Sequence, residues 1–541
     1  MSDAIHHALV ARDFARAADL IERVVPTMSR SRQESMVLGW LQMIPDDLFH
    51  MRPVLNVHYA GTLLQNGHLE GVESRLRDAE RWLAPMTDMD EQSANMVVVD
   101  DGEFRRLPVS IAIYRGAIAL ALGEVTNTIT YAHRVLELVP EDDYLRRAAA
   151  AGFLGLAYWT SGNLEAAHQS QADCMAKLLR IGYISDAIGC VITLANLRIV
   201  QGRLHEAMST YERGLQLATQ STPVLRGTAD MYVGMSVLYR ERADLNTATQ
   251  YLLRSKELGE HTGLPQNRYR WCVAMARIRE AEGDLGGALD LLHEAEQLYV
   301  GDFSPNVRPI SALRTQVWIA QGRLGEALGW AREQGLSVED DLSYLREFEH
   351  ITLARILLAQ HKNDHAAHFL LEAFGLLERL LQSAEQGERT GSVIEILVLK
   401  ALTHHLQGDI PTALMALERA LTLAEPEGYI RMFVDEGSSM AILLEKAAKH
   451  KIAQTYIRQL LTAFGQAENS PLLKQDLIEP LSERELEVLR LLGTDLDGPE
   501  LARELTVSLN TLRTHIKNIY TKLGVNNRRA AVRRAEELHL L

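Results

Sequence analysis

A repeat of about 40 residues constrains this chain more than any other feature. A short turn and, five residues on, an alanine recur as Gly162-Asn163-Leu164-Glu165-Ala166-Ala167, Gly202-Arg203-Leu204-His205-Glu206-Ala207, Ala243-Asp244-Leu245-Asn246-Thr247-Ala248, Gly283-Asp284-Leu285-Gly286-Gly287-Ala288 and Gly322-Arg323-Leu324-Gly325-Glu326-Ala327. Successive turns lie 40, 41, 40 and 39 residues apart. Weaker copies begin at Arg12, Gly67, Gly123, Lys362 and Gly408. A period of this size predicts a solenoid of helical hairpins, in which each unit buries its apolar face against its neighbours. Glycine permits the tight turn between antiparallel helices. The alanine lets the second helix approach the first closely. The predicted fold class is therefore all-α, a helical-hairpin superhelix followed by a small terminal domain.

Within one copy, Leu154, Gly155, Tyr158, Gly162 and Ala167 match the tetratricopeptide pattern in type and spacing. The longer period resembles the repeats of MalT-like regulators. Two irregular stretches interrupt the array. Residues 84–108 contain two prolines and the acidic run Asp100-Asp101-Gly102-Glu103, and read as a long loop. The stretch from Glu425 to Gly437 breaks the helical period. A similar segment closes the array in many MalT-like regulators, and it reads either as a cap on the last repeat or as a signalling joint.

The net charge of −15 is unevenly spread. Residues 481–541 hold ten Lys and Arg against nine Asp and Glu, and residues 1–480 hold forty-six against sixty-two. Between Arg503 and Arg534 there are eight basic residues and one acid, Glu504. A local basic patch can hold phosphate even on an acidic chain. Inside it, Leu512, Ile516, Ile519 and Leu523 form an apolar helical stripe. Asn510, Arg513, Thr514, Lys517 and Thr521 form an opposite face with no carboxylate. Ser508 sits at the N-cap position and Gly524 at the exit. Upstream, Ser482 to Glu485 fits a capping box, Gly493 ends that helix, and Pro499 opens a helix running to Thr506. Arg528 to Leu538 reads as a fourth helix. Two short helices joined tightly, the second amphipathic and basic, make a helix-turn-helix.

This tail resembles the LuxR-type helix-turn-helix domain over essentially its whole length. The match is carried by Leu481-Ser482, Arg484-Glu485-Leu486-Glu487-Val488-Leu489, Glu500-Leu501-Ala502, Val507-Ser508, Thr511-Leu512-Arg513-Thr514-His515, Ile519, Lys522-Leu523-Gly524-Val525, Arg528 and Ala531-Val532. Gly498-Pro499 departs from the family's usual polar pair. The resemblance implies that Arg513, Thr514 and Lys517 face the major groove, where arginine can pair bidentately with guanine. Asn510 could reach a base edge or a phosphate. Thr511, His515 and Lys522 match backbone-contacting positions, which set register without reading sequence. His515 also borders the apolar stripe and could pack there. Arg528 would brace the domain or touch DNA. Ala531, Val532 and Ala535 would serve a dimer contact or the core.

Enzyme chemistry is not expected. There is no Gly-Lys dipeptide and so no phosphate-cradling loop, and no His-Glu-x-x-His, Gly-x-Ser-x-Gly or paired-cysteine motif occurs. No cofactor or metal is expected. His361, His365 and His368 have metal-like spacing, but the turn expected at Asn363-Asp364 divides them. Cys174, Cys190 and Cys272 read as buried reduced thiols. MalT-like regulators usually carry a nucleotide-binding domain ahead of the repeats, so the chain reads as a short relative or a fragment. With neither a signal peptide nor a long apolar run, it reads as cytoplasmic. The expected organisation is a sensor or docking repeat domain over 1–465, a linker over 466–480 and a DNA-binding domain over 481–541. The expected partners are double-stranded DNA and an unidentified effector, small molecule or protein, on the repeats. RNA polymerase is a further candidate, and a homo-oligomer on repeated half-sites is expected. The rival reading is a docking scaffold whose tail no longer binds DNA specifically.

Overall fold

The computed structural model describes the chain except residues 31–32, 84–95, 221–223, 260–261, 302–303, 469–481, 495, 506, 524, 526, 529–530, 533–534 and 536–541. At residues 29, 30, 34, 466–468, 483, 510, 513, 521 and 523 it describes the backbone alone. Among the described residues, regular structure is helical throughout.

The repeat signal becomes hairpins at the predicted places. Tyr144–Thr160 pairs with Leu164–Arg180, Ile184–Val200 with Leu204–Thr219, Thr228–Glu241 with Leu245–Leu258, Asn267–Ala281 with Leu285–Gln297, and Ile310–Ala320 with Leu324–Glu333. Two more follow, Glu347–Asp364 with Ala367–Gln386 and Thr390–Gln407 with Ile410–Ala424. The turn residues carry left-handed φ, at 82° for Gly162, 79° for Gly202, 88° for Gly283 and 72° for Gly322. Ala243 adopts the same conformation at 61°, bearing a Cβ. The alanine five positions on is fully enclosed in all five copies, at 0% exposure for Ala167, Ala207, Ala248, Ala288 and Ala327. Weaker copies keep the rule through Ala17, Val72, Thr128 and Ala413.

Two expectations need correction. Residues 84–108 are not one loop, because the helix Asp101–Ala121 runs through Pro108. The acidic run is its start, with Asp100 Oδ1 accepting from Gly102 N–H and Glu103 N–H. That cap, with burial of Leu107 and Ile111, outweighs the bond proline cannot make. The turn expected at Asn363-Asp364 comes later. With no glycine there, Glu347–Asp364 stays helical to its end and His365 takes the left-handed φ of 54°. His361 and His368 therefore lie on different helices, as expected, with His365 between them. His361 Nδ1 lies 3.1 Å from the Ala366 carbonyl.

The three cysteines are buried free thiols, and Cys174 and Cys190 Sγ lie 3.6 Å apart. The helix Gln454–Glu468 extends three residues into the stretch expected as linker, and residues 469–480 of that stretch lie outside the described residues. Among the described residues no helix is long and apolar enough to cross a membrane.

In each hairpin the first helix faces the inside of the superhelix and the second lies outside. First helices such as Thr228–Glu241 are buried on two sides, whereas second helices such as Leu245–Leu258 bury a single stripe, Ala248, Leu252 and Ser255. The winding brings distant repeats together. Trp159 Nε1 donates to Tyr344 Oη at 2.9 Å. Gly202 is seated so closely on Thr390 and Gly391 that a Cβ there would lie 2.9 Å from the Gly391 nitrogen.

Candidate functional site

The terminal domain has its own core of Val488, Leu489, Leu492, Leu501, Ala502, Leu505, Leu512, Ile519, Ala531 and Ala535. Its first helix, Glu483–Leu492, opens on the predicted capping box. Ser482 Oγ accepts from Glu485 N–H, and Glu485 Oε2 accepts from Ser482 N–H at 2.8 Å. The scaffold helix, Gly498–Glu504, starts on a second box between Asp497 and Glu500. Sequence reading missed that box, although Asp497 and Glu500 have its spacing. The next helix, Leu509–Leu523, is capped by Ser508, whose Oγ accepts from Thr511 N–H at 3.1 Å. Leu512 and Ile519 anchor its apolar side at 1% and 0% exposure. Thr506 and Gly524 lie outside the described residues.

With the apolar side fixed inward, the opposite face is presented to solvent. Thr511, Thr514 and Lys517 are exposed and His515 is half-buried. Asn510 and Arg513 lie on the same helix, but their side chains are outside the described residues. Thr511 Oγ1 and Ser508 Oγ are 2.7 Å apart. Lys522 is placed differently from the others, with its ammonium donating to Glu485 Oε2 at 2.9 Å. Burial pushes the Glu485 carboxyl up, but Lys522 and Ser482 together hold it below its ordinary value. Lys522 thus ties the helix Leu509–Leu523 to the first helix of the domain.

Arg528 has a bracing role. Its Nε donates to the Leu492 carbonyl at 2.9 Å, its Nη1 to Leu496 at 2.7 Å, and its Nη2 to the Thr494 carbonyl. A guanidinium at the end of the first helix satisfies carbonyls that the helix leaves open and complements its dipole. Arg528→Ala is expected to destabilise the terminal domain by about 1–3 kcal/mol, read as a lower urea midpoint for that domain alone. Ala531 and Ala535 are both 0% exposed and belong to this core.

The repeat domain contains the second candidate site, a cavity of about 880 Å³ on the inner face. The stretch from Glu425 to Gly437 is threaded across this face as a strap. It contains the 3-10 turn Glu425–Glu427 and the short helix Arg431–Val434, followed by Ser438–Lys449. Ile430 N–H donates to the Glu241 carbonyl at 3.0 Å, and Met432 N–H to Glu241 Oε1 at 2.8 Å. Arg431 Nη2 donates to the Ala281 carbonyl at 3.3 Å, and His205 N–H to Glu427 Oε2 at 3.0 Å. Phe433 is fully enclosed.

Two carboxylates at the end of the short helix meet arginines from several repeats. Asp435 pairs with Arg240, with Arg431 at 2.5 Å and with Arg277 at 3.8 Å. Glu436 pairs with Arg355 at 2.6 Å, and Arg355 reaches Glu395 at 3.0 Å. Burial pushes the Asp435 carboxyl up, but Arg240, Arg431 and Arg277 hold it below the usual carboxylate range. Burial raises that of Glu241. This arrangement resolves the two sequence readings of the stretch in one respect. It does more than cap the last repeat, since it bonds to hairpins up to 222 residues earlier.

Two family descriptions match the chain. Residues 110–450 match the MalT-like TPR region, and residues 479–535 match the bacterial regulatory proteins of the luxR family. Solved structures resemble it at low identity. A Rap protein complexed with competence and sporulation factor is 12% identical, with 69% of this chain and 98% of that chain covered, at a TM-score of 0.47. The apo form of the quorum sensor NprR from B. thuringiensis is 13% identical, with 76% and 99% covered, at a TM-score of 0.38. The APC/C hetero-tetramer Cut9–Hcn1 is 13% identical, with 98% and 95% covered, at a TM-score of 0.46. With one match spanning more than half of its length and the other its helix-turn-helix, the chain belongs to the MalT-like, luxR-family transcriptional regulators.

Proposed function

We propose that the repeat cavity binds an effector and that the strap passes the state of the repeats to the DNA-binding tail. The observation that carries this reading is the path of the chain. Residues 425–437, which follow the last hairpin on the way to the tail, run through the inner face, bonded to Glu241, Ala281 and the arginines of three earlier hairpins. A ligand entering the cavity meets the strap directly, and any difference in its affinity between two strap positions biases one over the other.

In this reading the helix Leu509–Leu523 enters the major groove. Arg513 and Thr514 address base edges, Lys517 a guanine or a phosphate, Asn510 a base edge or a phosphate, and Thr511 and His515 the phosphate backbone. Lys522 acts chiefly inside the domain, since Glu485 already compensates its charge. Ala531 and Ala535 are spent on the core, so an assembly on repeated half-sites would use other surfaces, the repeats included. The chain carries out no chemistry, works in the cytoplasm and acts on transcription beside RNA polymerase.

The test is affinity selection of duplexes from random DNA by the full chain, followed by binding over a salt series. Arg513→Ala is expected to cost about 1–3 kcal/mol and relax preference at one base position. Lys517→Ala is expected to lower the salt slope by about one if it holds phosphate, and to leave the slope unchanged if it reads a base. Failure to enrich any sequence over random duplex would return the chain to the docking-scaffold reading.

A further inference from the structure

The strap's two carboxylates share an arginine cradle with three carboxylates of the hairpins, Glu241 at 3.6 Å from Arg240, Glu280 at 2.5 Å from Arg277 and Glu395 at 3.0 Å from Arg355. Asp435 sits among Arg240, Arg277 and Arg431, and Glu436 sits on Arg355. Arg240 and Arg431 are each 6% exposed, yet the Nε–H groups of Arg240, Arg431 and Arg355 are buried and meet no acceptor among the described residues. Donors left unmet in a closed site are costly, and a buried ion cluster is weak evidence for a purely stabilising role. The cradle also opens onto space. Asp435 retains 21% of its side-chain exposure, and Arg240, Arg277, Arg355 and Asp435 all line the 880 Å³ cavity. That volume suits a small molecule. Guanidinium forks from separate helices match clustered acceptor oxygens, as in a phosphate or a polycarboxylate.

We propose that the cavity takes a small molecule bearing clustered negative charge, phosphate or polycarboxylate, which competes with Asp435 and Glu436 for Arg240, Arg277 and Arg355. The strap carboxylates are then built-in stand-ins for the ligand. Its arrival displaces the end of the short helix Arg431–Val434 and, with it, the chain that leads to the tail. This inference rests on the effector reading above and supplies the ligand's class.

The test uses the full chain with citrate and pyrophosphate as probes and sodium chloride at matched ionic strength as control. Thermal unfolding and calorimetric titration are compared for the wild type, Asp435→Asn/Glu436→Gln and Arg277→Gln/Arg355→Gln. Removing the internal competitor raises the binding-competent fraction, so the carboxylate variant is expected to bind a probe about tenfold more tightly than wild type. Its midpoint should also gain more from that probe than from chloride. The arginine variant should lose the response. Citrate alone responding assigns a polycarboxylate, and pyrophosphate alone a phosphate. Equal responses from all three proteins, or none beyond chloride in the carboxylate variant, would overturn the proposal. Should the double variant fail to fold, Glu436→Gln alone, which leaves Arg355 with Glu395 as its one carboxylate partner among the described residues, gives the same comparison. The DNA affinity of these variants separates the two failures. A change in DNA affinity without anion binding sinks the ligand class and leaves the strap coupling standing, whereas anion binding without any change in DNA affinity sinks the coupling.

Discussion

Asp435→Ala is expected to destabilise the repeat domain by about 3 kcal/mol, the low end of the cost of breaking a buried ion pair because this carboxylate keeps some contact with cavity water. The variant removes a carboxylate shared by three guanidiniums; Arg277 keeps Glu280 at 2.5 Å and Arg240 keeps Glu241 at 3.6 Å, but Arg431, with almost no access to solvent, loses its carboxylate partner. The contribution has a definite pH sign. The Asp435 carboxyl is held below its ordinary value. Its stabilisation is therefore present at neutral pH and is lost as pH falls through the lowered native value. Urea unfolding followed by circular dichroism at pH 7 reads the full loss, and at low pH wild type and variant should converge.

Phe433→Ala is expected to cost about 3–5 kcal/mol, the usual range for truncating a fully enclosed phenylalanine. Phe433 is 0% exposed and meets Tyr456 edge-on, with ring centroids 6.1 Å apart. Tyr456 Oη in turn donates to the Tyr429 carbonyl. The ring thus pins the strap to the helix Gln454–Glu468, beyond which the chain leads to the tail. Phe433 and Asp435 lie on one short segment, so their losses should not add. Once either anchor is removed, the other holds a segment already loosened, and the double variant should lose measurably less than the two single losses combined. Full additivity in chemical denaturation would mean that the strap is not one cooperative unit.

The repeat hairpins were legible because the signal is local and recurs. A turn and an alanine at fixed offset mark the one close approach every hairpin needs, and Ala167 to Ala327 meet it without exception. Ala243 shows that the offset matters more than the glycine. Where the mark was degraded, at residues 362–364, the boundary slipped to His365. The helix Asp101–Ala121 was missed because Pro108 spoke for a loop, while the capping of Asp100 and the burial that opposed it depend on the fold. In the tail, the caps at Ser482 and Ser508 and the inward stripe were readable, since caps and helical periodicity are short-range. Lys522 shows the limit. Its type and position suggest phosphate, and only the packing of two helices brings Glu485 beneath it. The arginine cradle left no pattern to find. Arg240, Arg277 and Arg355 each lie on the first helix of a hairpin but at different offsets from the turn that follows, so only the winding of the superhelix brings them to Asp435 and Glu436.

In the proposed coupling the repeats control a DNA-binding tail through the strap. Its most direct measurement is the affinity of one selected duplex for the full chain and for a chain starting at residue 466, across the same salt series. The predicted result is parallel salt dependence, because both hold the same phosphates with Leu509–Leu523 and its neighbours, with affinities that differ by about tenfold or more, within the range of ordinary coupling free energies. Equal affinities at every salt concentration would rule out the coupling, leaving a tail that binds DNA without reference to the repeats.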